Sequence, residues 1–200
     1  MSVPASFILG SQSPRRRESL ASFSLPFKQI SSDFDEDSIP FTGDPIRYCT
    51  QLAACKAEAL AARFPDAAIL TADTVVYLNG KLYNKPRDAE EAFRFLSELA
   101  GHWHTVHTAV HVCQGGRSFA DSESTRLLFH PLTPEQIRLF HKHVHFLDKA
   151  GGYAIEGCGQ IILAKIEGCY YNVLGLPINA TRRLLSALGI DLWHYLRNIS

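Results

Sequence analysis

Ile69-Leu70-Thr71-Ala72-Asp73-Thr74-Val75-Val76 reads as a buried strand, a short apolar and β-branched run with turn-forming residues not far beyond each end. Asp73 stands in its middle, and an ionised carboxylate is costly to bury without a partner. Two readings are open on this stretch alone. Asp73 is either a capping carboxylate at a frayed strand end or a functional group held in a dry interior. Cations elsewhere in the chain with no evident structural use favour the second.

Upstream of the strand, Asp44-Pro45 opens a helix expected to run to about Phe64, with Ile46, Cys49, Ala53 and Leu60 on one stripe. Lys56 falls on that stripe, where it either snorkels to water or points into a cleft as an anion ligand. Before it lies the acidic run Asp33-Phe34-Asp35-Glu36-Asp37, a hydrophilic loop or a carboxylate cluster of the kind that holds magnesium or manganese. Phe27 to Ile30 reads as a strand. Further back, Phe7-Ile8-Leu9-Gly10 is a short strand running into Ser11-Gln12-Ser13-Pro14-Arg15-Arg16-Arg17-Glu18. Ser13 suits an N-cap and Pro14 the first helical position. Arginines in a first helical turn oppose the helix dipole, yet a helix N-terminus that carries arginine suits phosphate.

Downstream, Asn79-Gly80 signals a hairpin leading to Asn84-Lys85-Pro86-Arg87. Asp88 and Glu91 form a capping box for a helix whose face is Ala89, Ala92, Phe93, Leu96 and Leu99. Lys85 thus precedes a helix, much as Arg15 and Arg16 open one. Two strands, Trp103 to Val112 and Ser118 to Phe129, flank the Gly115-Gly116 turn. Thr133-Pro134-Glu135-Gln136 is a second capping box. Asp148 to Gly157 is glycine-rich and reads as turns, Ile161 to Ile166 as a strand, Tyr171 to Pro177 as an extended connection, and Ile178 to Leu188 as a helix. Strands alternate with helices throughout, so the class is α/β with a mixed, elongated sheet.

Composition narrows the function. The twenty basic and twenty acidic residues cancel, leaving no broad cationic field for nucleic acid or an anionic membrane. No apolar stretch approaches the length of a membrane span, and the start from Met1 to Gly10 does not read as a signal peptide. Five scattered cysteines without a CxxC pair suggest reduced thiols and a cytoplasmic protein. His102 and His104 face opposite to His107 and His111 in a strand, and neither HExxH nor finger spacing occurs, so no zinc site is expected.

Five stretches in order resemble the Maf family of nucleoside triphosphate pyrophosphatases: Ser11 to Glu18, Ala72 to Val76, Lys85 to Asp88, Asp148 to Tyr153, and Asn172 to Pro177. The resemblance is collinear from about Ile8 to Gly189. It implies one ITPase-like domain over residues 1–200, with the active-site cleft between two lobes and no separate linker. It also implies metal-dependent hydrolysis of a nucleoside triphosphate to the monophosphate and pyrophosphate, by a cytoplasmic, often homodimeric protein tied to nucleotide housecleaning and cell-division arrest. On the resemblance, Asp73 matches the catalytic carboxylate, with Lys56 and Lys85 beside it in catalysis and Ser11, Ser13, Arg15 and Arg16 on the substrate. Glu36 joins Asp73 as a ligand of Mg2+ or Mn2+, and Arg16, Thr74 and Glu156 fall where base choice is set.

Two departures stand out. Asn84 replaces the family's glycine before Lys85. Glu156 stands where the dTTP/UTP branch, which Arg16 and Thr74 resemble, has glutamine; glutamate is closer to the branch acting on methylated GTP. A nucleotide-binding regulator of septum formation with little turnover, and a phosphatase releasing orthophosphate, are the rival readings.

Overall fold

Strand β3 (Ala68–Leu78) organises the computed structural model, which describes residues 6–197. Residues 1–5, part of the stretch on which the signal-peptide reading rests, lie outside the described residues. β3 pairs in parallel with β1 (Phe7–Gly10), in the register Leu9 to Leu70, and β1 pairs in parallel with the short β2 (Lys28–Gln29). β3 also pairs antiparallel with β4 (Lys81–Tyr83) across the Asn79-Gly80 turn. Two long strands, β5 (Trp103–Gln114) and β6 (Arg117–Phe129), are joined by Gly115-Gly116, a link so short that it makes a hairpin. β7 (Leu163–Glu167) pairs antiparallel with β6. The sheet is therefore mixed and flanked by helices, as the α/β alternation requires. No described helix is long and apolar enough to cross a membrane.

The chain divides into two compact units. The first comprises the chain up to Asp73, Thr108–Glu123, and the chain from Leu174 onward; the second comprises Thr74–His107 and Ser124–Val173. In the first unit the strand order is β2-β1-β3-β5-β6. Its helices are α1 (Pro14–Ala21), α2 (Pro45–Arg63) and α6 (Ile178–Ala187). Strand alternation sorts its apolar residues: Leu9, Leu70, Val110 and Val112 pack with Leu184 and Leu185 of α6, whereas Ile8 and Ile69 pack with Ala57 and Leu60 of α2. Thr71 and Asp73 share Ile69's parity, so they belong on the face that α2 covers. Thr71 confirms it by donating its hydroxyl to the Ala53 carbonyl at 2.6 Å.

Close approach of α2 depends on Gly10. A Cβ there would lie 2.4 Å from Leu60 Cδ1 and 2.6 Å from Thr71 Cγ2. Gly10→Ala is expected to cost about 1–3 kcal/mol through overpacking, read as a lower denaturation midpoint with an unchanged slope. A midpoint equal to the wild type would show that α2 has room to spare.

The second unit builds its core from Val76, Tyr83, Val106, Leu127 and Phe129 against α3 (Ala89–Leu99) and α4 (Pro134–His143). α3 buries Ala92, Phe95, Leu96 and Leu99; Phe95 takes the place expected for Ala89, which is exposed. Asp88 caps α3 by accepting from the Glu91 amide at 2.8 Å, but Glu91 reaches the Arg87 amide instead of closing a capping box. Thr133 and Gln136 do close theirs. Two further expectations are corrected. Gly157–Ile162 is a 3₁₀ stretch, so the strand begins only at Leu163, and Tyr170–Val173 is a short helix, α5, not extended chain.

Candidate active site

Asp73 is buried well inside β3, not at a frayed end, and its Oδ1 accepts from the Lys56 ammonium at 2.5 Å. Lys56 lies one turn beyond Ala53 on α2, so the bond from Thr71 to Ala53 sets the register that aims it at Asp73. It is only 6% exposed and does not snorkel. The expected stripe was misplaced at its start, since Ile46 is 41% exposed and the buried face begins at Cys49. Glu36 also contacts Lys56, its Oε1 2.9 Å from the ammonium. It sits on a 3₁₀ turn, Glu36–Ser38, capped by Asp35. Arg63 anchors the preceding loop to α2 through the Ser31 carbonyl at 3.2 Å and Asp33 at 3.1 Å.

The serine loop completes this group. Ser13 caps α1 and accepts from the Arg16 amide at 3.4 Å; the Ser11 hydroxyl accepts from the Ser13 amide at 3.1 Å and from Arg16 Nη1 at 3.3 Å. Arg16 Nε donates to the Gly175 carbonyl at 2.7 Å, which orients the guanidinium. Gln29 Nε2 bonds the Ser11 carbonyl at 2.8 Å and the Ser13 carbonyl at 3.3 Å, holding the loop from β2. Arg15 is half-buried beside them, and its charge helps to depress the Arg16 pKa.

Burial dominates the electrostatics. It raises the Asp73 carboxyl above its ordinary pKa, against the pull of Lys56 and Arg16 and with the repulsion of Glu36 added. It lowers the Arg16 pKa despite the attraction of Asp73. Cys49, also buried near Asp73, is pushed up to about 12 and stays a neutral thiol, so it is no nucleophile here. Tyr48 is likewise raised, by burial first and then by Asp73, Glu36 and Asp37, and so remains a phenol that can donate. A buried carboxylate with a raised pKa, beside fixed cations, is suited to taking a proton while anions are held near it.

Ser11, Ser13, Arg15, Arg16, Glu36, Lys56 and Asp73 all belong to the first unit. Thr74, Lys85 and Glu156 belong to the second. Thr74 follows Asp73 on β3 and is half-buried, Lys85 is exposed in the turn between β4 and α3, and Glu156 Oε2 accepts from the Ile155 amide at 3.2 Å. Among the described residues, no group of three or more His, Cys, Asp or Glu side chains is arranged to hold a metal. Glu36 and Asp73 nonetheless converge on one cation, the Lys56 ammonium. Two carboxylates suit magnesium or manganese, which take their remaining ligands from water and phosphate. Gln29 carries no signal of its place under the serine loop in the sequence, and Gly175, though within the Asn172 to Pro177 stretch, carries none that its carbonyl would hold Arg16.

An α/β chain with a buried carboxylate held by a lysine and neighboured by oriented arginines has the makings of a site for an anionic substrate. The chain belongs to the Maf-like protein family, whose pattern it matches over residues 6–188. It is 40% identical over 195 residues to the dTTP/UTP pyrophosphatase of Chlamydia trachomatis serovar L2, covering 97% of this chain and 100% of that one. It is 42% identical over 190 residues to the dTTP/UTP pyrophosphatase of Chlamydia felis, covering 94% and 97%. A nucleoside triphosphate pyrophosphatase of Chlamydia muridarum is 40% identical over the same shares. Among solved structures, a nucleoside-triphosphatase / dITP/XTP pyrophosphatase of Mycobacterium abscessus matches at 13% identity with a TM-score of 0.45, over 92% of this chain and 94% of that one.

Proposed function

We propose that this protein hydrolyses nucleoside triphosphates, dTTP and UTP foremost, to the monophosphate and pyrophosphate. The observation that carries the reading is the buried Asp73, whose Oδ1 contacts the Lys56 ammonium at 2.5 Å while Glu36 contacts the same ammonium at 2.9 Å. The names of the relatives support the substrate class. Arg15, Arg16 and the N-terminus of α1 bind phosphate oxygens, Arg16 through a guanidinium already oriented by Gly175. Lys56 neutralises the remaining charge that builds on the departing pyrophosphate, and on the family resemblance Lys85 acts on the triphosphate as well. Asp73 accepts one proton from water as the water oxygen bonds to the α-phosphorus; the bond from that phosphorus to the bridging oxygen breaks, and pyrophosphate leaves with the electron pair. Glu36 and Asp73 are the residues that would hold Mg2+ or Mn2+, which when bound supplies charge neutralisation and a more acidic water.

Incubating the protein with ATP, GTP, CTP, UTP and dTTP and either cation, with pyrophosphate resolved from orthophosphate, tests the reading. Pyrophosphate and monophosphate in equal amounts are expected. Orthophosphate release would mark a phosphatase, and tight binding without turnover a sensor.

Residue 156 bears on the base. A glutamate only accepts hydrogen bonds, whereas glutamine also donates, and uracil and thymine present one N–H between two carbonyls. Glu156→Gln is therefore expected to shift kcat/KM by about tenfold toward UTP and dTTP relative to GTP and CTP, a mispaired polar group costing roughly 1–3 kcal/mol. Unchanged ratios would mean that Glu156 does not read the base.

A further inference from the structure

Lys85 is exposed, yet its backbone is held by a neighbouring turn. The Gly151 amide donates to the Asn84 carbonyl at 3.1 Å, just before Lys85. A Cβ on Gly152 would sit 3.2 Å from Ala92 and 3.5 Å from Pro86 Cγ, just after it. Gly151 and Gly152 have φ of 76° and 69°, a conformation that favours glycine, so both the shape of this turn and its fit against Pro86 depend on bare backbone. The turn is fixed in its own right. His141 Nε2 donates to the Gly152 carbonyl at 3.1 Å, and the Tyr153 hydroxyl meets His104 Nε2 at 3.1 Å. Burial lowers the pKa of both histidines, so His141 stays a neutral ring with Nε2–H toward the carbonyl. The motif from Asp148 to Tyr153 thus has a task that the chemistry above leaves unassigned.

We propose that the Gly151-Gly152 turn is a positioning device for Lys85, and that His141 is the positioning residue that locks it. The inference rests on Lys85 acting on the triphosphate, as stated under the proposed function. A side chain loses effect when its backbone support loosens, even though nothing touching substrate has changed. His141 acts only through the Gly152 carbonyl and the Asn84 turn. Its removal therefore matters only while Lys85 is present.

A double-mutant cycle reads this directly. His141→Phe keeps an aromatic ring against Phe146 while removing the donor; His141→Gln keeps an N–H and serves as the conservative variant, and covers the case in which the phenylalanine variant folds poorly. kcat/KM for UTP with Mg2+ and the melting temperature are measured for each, alone and combined with Lys85→Ala. His141→Phe is expected to lower kcat/KM about fivefold, mainly through KM, with His141→Gln closer to the wild type. In the Lys85→Ala background neither substitution is expected to lower it further. Equal losses in both backgrounds would overturn the proposal, as would a loss of melting temperature with kcat/KM intact. If Lys85→Ala alone leaves kcat/KM unchanged, the phosphate role of Lys85 fails first and the inference falls with it.

Discussion

Asp73→Asn is expected to lower kcat by about 10³-fold, within the range that general acid–base groups supply, while the nucleotide Kd changes by less than about fivefold. The substitution keeps shape and hydrogen-bonding capacity but removes the proton acceptor. Stability should move the other way with pH. Because burial raises the Asp73 pKa in the folded protein, the folded state holds its proton more readily than the unfolded chain does. The stability this group contributes is thus full below the ordinary carboxylate pKa and is lost as pH rises through the raised one. Asparagine has no such dependence, so the stability of the variant relative to wild type should increase with pH across that window. The same raised pKa places the acid limb of wild-type kcat/KM above the ordinary carboxylate range. A limb at the ordinary value, or near-normal turnover in a folded variant, removes Asp73 from this role.

Lys56→Met carries the second largest effect and touches both stability and rate. Lys56 contacts Asp73 at 2.5 Å and Glu36 at 2.9 Å, and methionine leaves these carboxylates facing one another with no lysine between them. Breaking a buried pair by removing one partner costs about 3–5 kcal/mol, because the remaining charge stays buried. Lys56 also pulls the Asp73 pKa down. Its loss should raise that pKa further, shift the acid limb of kcat/KM upward, and make the variant relatively more stable in acid. kcat at neutral pH is expected to fall about 10²-fold or more. A methionine variant with wild-type melting and turnover would restore the reading in which Lys56 snorkels.

The features legible in the sequence were those that a local rule fixes. Asp73 in an apolar β-branched run, Ser13-Pro14, Asp44-Pro45 and the Thr133 to Gln136 box each declare a strand or a helix start within a few residues. Lys56 was only half legible. Helical spacing placed it on a stripe containing Cys49, Ala53 and Leu60, but its direction depends on α2 sitting on β3 through Thr71 and Gly10, a long-range fact. Tyr170–Val173 is not legible as a helix because one helical turn is too short to show a period. Ile161-Ile162 looked like a strand by residue type, yet Ile161 is 74% exposed and both lie in a 3₁₀ stretch. Gln29 could not be found at all: an exposed glutamine in a two-residue strand has no pattern, and only the folded chain brings it under the serine loop.

The central claim is hydrolysis at the α-phosphorus, with pyrophosphate as the leaving group. Turnover of UTP with Mg2+ in ¹⁸O-labelled water tests it most directly, with the products separated and their masses read. The label is expected in UMP, with unlabelled pyrophosphate formed in equal amount and the rate of both lowered about 10³-fold in Asp73→Asn. Label in orthophosphate with UDP as co-product, or label in pyrophosphate, would contradict the account.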